Sequence, residues 1–280
     1  ILLLGTSDLL ILYGFMLMIV SFISTFCYIV FCIKHYPEAR FKFYNEKKLF
    51  VELMSYSGWN MFGSVSGLVK DHGVNILLNL FFNPSVNAAR GLVFQVNTAV
   101  SQFFGNFYTA VRPQITKYYA QGDLENMFKL VFRSSKMSFF LILLVSLPLF
   151  VETPYIIQLW LGQNPAYVVE FVRLVLLVTA VDAMASPLMT SAHATGKIKL
   201  YQSLVGTITM LNLPISYIIL KLGGTPQSVF YVSLLISIVN LFMRLWLVRK
   251  LIPIPVMKYI SDVLGRCVLC ASLAVIIPIM

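Results

Sequence analysis

The sequence predicts an all-α fold, a polytopic bundle of transmembrane helices, and three observations carry that expectation. Charged residues make up only 11% of the 280 and hydrophobic residues 59%, where a soluble domain carries about a quarter charged residues. Mean hydropathy is +0.83, so most of the surface must be solvated by lipid. The apolar residues also gather into runs of about 18–25, the length of helix that crosses a ~30 Å hydrocarbon core.

In chain order, residues 1–4 read as the tail of one span, closed by Gly5-Thr6-Ser7-Asp8. The following runs are 9–33, 53–81, 86–111, 132–151, 167–191, 200–220 and 226–248, with a further one opening near 263. Asn83-Pro84, Thr153-Pro154, Asn164-Pro165 and Gly223-Gly224-Thr225-Pro226 punctuate them with turn chemistry. The chain opens at Ile1 without an initiator Met and stops inside the apolar run Ile276–Met280, so a fragment of a longer chain is expected. A missing signal peptide then says nothing about the parent.

Orientation follows from the cations. The connections at 34–52, 112–136, 193–199 and 244–266 hold 17 of the 21 Lys and Arg, and the intervening connections hold only Lys221. This alternation makes the charged connections cytoplasmic and the sparse ones external. It also accounts for the net charge of +10 without nucleic-acid binding. Segment 34–52 mixes Phe41, Phe43, Tyr44, Leu49 and Phe50 with Lys42, Lys47 and Lys48. It reads either as an interfacial helix or as a solvated linker.

Ionisable groups inside a bilayer are costly and usually face protein or water, so each is a candidate for function. Run 53–81 carries Lys70-Asp71-His72 near its middle. At about 100° per residue, Ser57, Asn60, Ser64, Gly67, Asp71, Asn75 and Asn79 share one sector of the helix. Run 86–111 repeats the pattern with Asn87, Gly91, Thr98, Gln102, Gly105, Thr109 and then Arg112, flanked by Arg90. Such stripes line a wet chamber or pack against neighbours as helix–helix glue. Lys70 and Arg90 would make a chamber cationic, suited to phosphate or an acidic sugar; for Arg90, snorkelling to the external interface is the competing role. Glu170 and Arg173 are spaced for an i,i+3 rim salt bridge. Asp182 lies deeper, and with Asp71 it is a candidate ion-coupling group. Asn240 and Arg244 sit one turn apart near the cytoplasmic end and read as an anchor.

Other chemistry lacks its motifs. His35, His72 and His193 fall in separate segments without metal-ligand spacing, so no metal or cofactor is expected. Cys267 and Cys270 form a C-x-x-C inside an apolar run without a second Cys/His pair, and Cys27 and Cys32 also lie in apolar sequence. Neither GxxxxGK[ST] nor G-x-S-x-G occurs, and no catalytic residue is assigned.

Several ordered motifs resemble a known family. Glu52-Leu53-Met54-Ser55-Tyr56-Ser57-Gly58-Trp59-Asn60-Met61-Phe62-Gly63-Ser64 looks like the opening of the second lobe in bacterial O-antigen and polysaccharide flippases. So do Gly73-Val74-Asn75-Ile76-Leu77-Leu78-Asn79 and Asn87-Ala88-Ala89-Arg90-Gly91. Val111-Arg112-Pro113-Gln114-Ile115, Tyr118-Tyr119-Ala120-Gln121-Gly122-Asp123 and Ala194-Thr195-Gly196-Lys197 follow in the same order. The resemblance is to the polysaccharide-transport branch of the multidrug/oligosaccharidyl-lipid/polysaccharide exporter superfamily. It implies two six-helix lobes around a central cavity, working by alternating access. Residues 1–33 would end the first lobe, 34–52 link the lobes, 53–248 form the second lobe, and 249–280 lead into an additional helix. The implied substrate is an undecaprenyl-pyrophosphate-linked oligosaccharide moved between leaflets of a bacterial inner membrane. Implied partners are the bilayer and polysaccharide polymerase or assembly proteins, with no enzymatic activity of its own.

Two rivals stand beside this expectation. A multidrug exporter of the same superfamily would favour an acidic, aromatic pocket. A membrane polysaccharide polymerase or ligase would need a large external loop, and the external connections span only about 5–16 residues by these assignments.

Overall fold

The computed structural model describes residues 9–37 and 46–276. Those residues are helical almost throughout, with no strand among them. The helices are α1 (Leu9–His35), α2 (Lys47–Phe81), α3 (Pro84–Ala120), α4 (Leu124–Val151), α5 (Thr153–Leu161), α6 (Val168–Ala194), α7 (Lys199–Met210), α8 (Asn212–Lys221) and α9 (Ser228–Leu251). The short α10 (Val256–Tyr259) runs through a π-helical turn, Ile260–Gly265, into α11 (Arg266–Ile276). Four stretches, Ile11–His35, Leu124–Val151, Lys199–Lys221 and Ser228–Leu251, are long and apolar enough to cross a bilayer. The chain is a membrane protein with an all-α bundle.

The chain divides into a unit ending at Phe50 and a compact unit from Val51 onward. In the first, α1 presents apolar side chains outward all round, and none of its span is buried. A helix of that composition is solvated by lipid or by other protein.

In the second unit α6 is the axis, with α3, α4, α5 and α9 packed around it. Phe171, Leu176, Ala183, Leu188 and Ala192 lie on different faces of α6 and all are buried, as expected of an apolar helix enclosed by others. Phe171 meets Phe230 of α9 with ring centroids 4.3 Å apart. On α2 only Ser66, Val74 and Leu78 are buried, and its seat on α7 uses glycine. A Cβ on Gly63 would lie 2.1 Å from Gln202 Oε1, and one on Gly206 would lie 2.7 Å from the Phe62 ring. Small residues let these helices approach where a side chain would hold them apart.

The structure departs from the predicted elements in four places. The expected loop from 112 is helical: α3 continues through Pro113 to Ala120, and Asp123 caps α4, its carboxylate accepting from the Asn126 backbone N–H. The charged residues here form the polar ends of two long helices, so the connection shrinks to 121–123. The connection after α4, expected to be external, contains α5, which opens with Pro154 in its first turn and stops at Gly162, whose φ of 72° is left-handed; nine residues are too few to read as a span. The run 200–220 breaks at Leu211, because Pro214 has no N–H for the Met210 carbonyl. In the 34–52 segment, Lys47, Lys48, Leu49 and Phe50 belong to α2 rather than to a separate interfacial helix, while residues 38–45 lie outside the described residues.

Candidate functional site

Between α2, α3, α6 and α9, and close to the starts of α3 and α9, the side chains leave a cavity of about 220 Å³. Its walls carry Lys70 and Asp71 from α2, Arg90, Phe94 and Asn97 from α3, Thr179 and Asp182 from α6, and Phe230 and Ser233 from α9. A second cavity of about 280 Å³ adjoins it, lined by Leu68, Asp71, His72, Asn75, Arg90, Gly91 and Phe94. Asp71, Arg90 and Phe94 are common to both and form the partition between them.

Arg90 organises this partition. Its guanidinium crosses from α3 to α2, donating to the side-chain oxygen of Asn75 and, at 2.8 Å, to the backbone carbonyl of Asp71. Of its two expected roles, a place on the cavity wall is the one these hydrogen bonds fit, since both acceptors belong to α2. Asp71 contributes its carbonyl to Arg90 and keeps its carboxylate for the cavity. Across the space, Thr179 donates its hydroxyl to the side-chain oxygen of Asn97. No hydrogen bond to the carboxylate of Asp182 or to the ammonium of Lys70 occurs among the described residues; the Asp182 backbone carbonyl accepts from Ser186 at 3.0 Å.

The electrostatic character follows directly. Among the described residues the ion pairs within 4.0 Å are Lys129–Glu125 and Arg266–Asp262, both outside this region. Lys70, Asp71, Arg90 and Asp182 thus share one cavity without direct pairing, two of each sign. A charge at the bilayer centre costs on the order of 3 kcal/mol even on lenient insertion scales. Four of them are sustainable only in a space that water or a polar ligand fills.

Of the predicted site residues, Lys70, Asp71, Asn75, Arg90 and Asp182 meet here. Asn60, Asn79, Gln102 and Arg112 do not. Stripes on helices of 35 and 37 residues extend about 50 Å, so their members cannot all converge on one cavity. Asn79, Gln102 and Arg112 are exposed on the bundle. Asn60 belongs to another node, where the Gln202 side-chain amide donates to its oxygen at 3.1 Å and meets His193 Nε2 at 3.2 Å. Ser57, Ser64, Thr98 and Thr109 are exposed, so these stripe members are not helix–helix glue in this unit, whereas Asn60 and Asn75 bond across to α7 and α3.

The predicted rim salt bridge is absent. Arg173 donates to the Phe150 carbonyl at 3.0 Å and lies over the Phe150 ring, while Glu170 accepts from the Gln227 amide. The last carbonyls of α4 lack intrahelical partners and attract a cation, which outcompetes a surface carboxylate.

Asn97, Thr179 and Ser233 were missed by the polar-stripe pattern. Asn97 lies seven residues after Arg90, two turns along the same face, and Thr179 lies three before Asp182. That spacing was available, but the stripe through Gly91 and Thr98 has more polar members and drew the choice of face away from the one meeting α6. No protein-family model, curated protein or solved structure matches the chain.

Proposed function

We propose that the protein is a flippase that moves an undecaprenyl-pyrophosphate-linked oligosaccharide from the cytoplasmic to the external leaflet of a bacterial inner membrane. The chain crosses that membrane several times and forms the second lobe of a two-lobe carrier. The single observation that carries the reading is the cavity lined by Lys70, Asp71, Arg90 and Asp182, none of which forms an ion pair within 4.0 Å among the described residues. The family resemblance of the ordered motifs supports the substrate class. A pyrophosphate and its sugars cannot cross hydrocarbon unaided, because their hydration would be lost without replacement. Fixed guanidinium and ammonium groups replace it for the phosphates, and the exposed amide and hydroxyl stripes of α2 and α3 do so for the sugars, while the lipid tail stays in the bilayer. Alternating access then requires only that the lobes rock about this space. No bond is made or broken, so the role is transport rather than catalysis.

The test is lipid analysis of a strain lacking the protein. Accumulated undecaprenyl-pyrophosphate oligosaccharide with loss of the surface glycan, the polymerase being intact, is the expected outcome. A second reading, an ion-coupled multidrug exporter, is favoured by one feature. The cavity also holds two carboxylates and two phenyl rings, Asp71, Asp182, Phe94 and Phe230, the lining an organic cation would need. Unchanged lipids and glycan, with new sensitivity to cationic drugs, would replace the flippase reading by this one.

A further inference from the structure

Away from the central cavity, α4 and α11 diverge to leave an open groove of about 780 Å³. One wall is a single face of α4, where Arg133, Lys136, Met137 and Phe140 follow the i, i+3, i+4, i+7 spacing. The other wall is formed by Ser261 and Gly265 of the π-helical turn, followed by Arg266, Leu269 and Cys270. The groove is therefore segregated along its length. Arg133, Lys136 and Arg266 cluster at the end nearer the start of α4, and the Phe140–Leu269 end is apolar. We propose that this groove is a binding site for an anionic phospholipid of the leaflet at which α4 enters the membrane, with its phosphate on the three cations and its acyl chains along Met137, Phe140 and Leu269.

Charge complementarity selects that occupant. Arg133 and Lys136 have no carboxylate within 4.0 Å among the described residues, and Arg266 shares only one nitrogen with Asp262, at 3.4 Å. Three cations on one small patch repel one another unless an anion sits between them. Met137 and Leu269 are 47% and 58% exposed, so an apolar tail gains contact on both walls. A soluble anion would leave that surface bare, and a zwitterionic lipid would bring its own cation to the patch. The charged end also falls among the Lys- and Arg-rich connections, the side whose leaflet carries anionic headgroups.

The π-helical turn shapes the groove. It inserts a wider turn before α11, and Gly265 leaves the wall low where it faces α4. A Cβ at Gly265 would meet only the Ile260 carbonyl at 3.5 Å, ordinary contact, so the backbone accepts a side chain there. The lipid would bridge α4 and α11, which otherwise meet at few points, and so fasten the last helix to the bundle.

The experiment uses the purified protein in detergent, titrated with phosphatidylglycerol, cardiolipin or phosphatidylethanolamine, with bound lipids counted by native mass spectrometry and Tm recorded in parallel. The expected result is selective retention of the anionic lipids with a raised Tm. Arg133→Gln/Lys136→Gln should weaken their binding roughly 25-fold, about fivefold per cation, while Arg249→Gln/Lys250→Gln, which removes the same charge elsewhere, should not. Gly265→Leu should block the lipid while leaving all three cations in place, so the proposal stays testable if the double variant fails to fold. Equal retention of phosphatidylethanolamine would overturn it, as would undiminished binding by Gly265→Leu. A Tm gain from inorganic phosphate matching that from phosphatidylglycerol would show a free-anion site instead and overturn the lipid assignment.

Discussion

Arg90 of α3 and Asn75 of α2 are joined by a hydrogen bond that crosses the wall between two adjoining cavities. The same guanidinium takes the Asp71 carbonyl, so one side chain both ties two helices together and presents positive charge to the space between them.

That double duty distinguishes arginine from lysine at this position. A hydrogen bond to a charged group contributes about 2 kcal/mol, and a lysine cannot reproduce a planar fork that reaches two acceptors. Arg90→Lys is therefore expected to lower stability by about 1–2 kcal/mol and transport at least tenfold, and Asn75→Ala to lower stability by a similar amount with the charge retained. Denaturation in detergent and lipid-linked glycan export measure the two effects. Wild-type transport by Arg90→Lys would show that only its charge matters.

The seat of α2 on α7 gives a second expectation. Gly206 faces Phe62 and Ser66, with a Cβ there predicted to fall 2.7 Å and 2.8 Å from their atoms. Overpacking at such a contact costs about 1–3 kcal/mol. Gly206→Leu should therefore lower the Tm and loosen α2, whereas Gly91→Ala, which meets nothing within 4 Å, should leave Tm unchanged. Proteolysis or cysteine accessibility along α2 reads the loosening directly.

The sequence disclosed the helices more fully than the site, for a physical reason. Spans are written in composition, which is local, so 53–81, 86–111 and 132–151 all fall inside observed helices. Helix ends were misplaced where charged residues continue the helix into water, as at 112–120, because hydropathy registers solvent rather than backbone conformation. Lys70, Asp71 and Asp182 were legible since an ionisable group in an apolar run needs a reason to be there. Asn97 and Thr179 were not, because their importance comes from the pairing of α3 with α6, a tertiary fact that no single helix contains. Arg173 shows the same limit: its partners are carbonyls freed by the end of another helix.

The cap on α4 should titrate. Asp123 is partly exposed, and its carboxyl is held below the ordinary carboxylate range by the Asn126 side-chain amide and then by the Asn126 backbone N–H. A carboxyl whose pKa is depressed on folding stabilises the folded form above its unfolded value and loses that contribution as pH falls through the folded one. The Tm difference between the wild type and Asp123→Ala should thus be full at neutral pH. It should shrink once pH drops below about 4. A difference that stays constant down to pH 2 would mean that the carboxylate charge contributes nothing to the cap.

The two carboxylates of the central cavity give the prediction closest to mechanism. Asp71 and Asp182 stand on different helices, α2 and α6, and line one space; neither carboxylate is tied up in an ion pair among the described residues. Carboxylates that line a cavity inside a membrane-spanning bundle without a fixed partner are suited to taking a proton or a metal cation from one side and releasing it to the other. As a hypothesis, transport is coupled to an ion gradient through this pair. Asp71→Asn and Asp182→Asn should each reduce gradient-driven export at least tenfold, while exchange of lipid-linked glycan across the membrane without a gradient persists, because neutralising them keeps Lys70 and Arg90, the cations proposed to meet the phosphates. Reconstituted vesicles with an imposed proton or sodium gradient separate the two rates. If the double variant still responds to the gradient as the wild type does, the coupling groups lie elsewhere in the protein, and Asp71 and Asp182 serve only to balance the charge of Lys70 and Arg90.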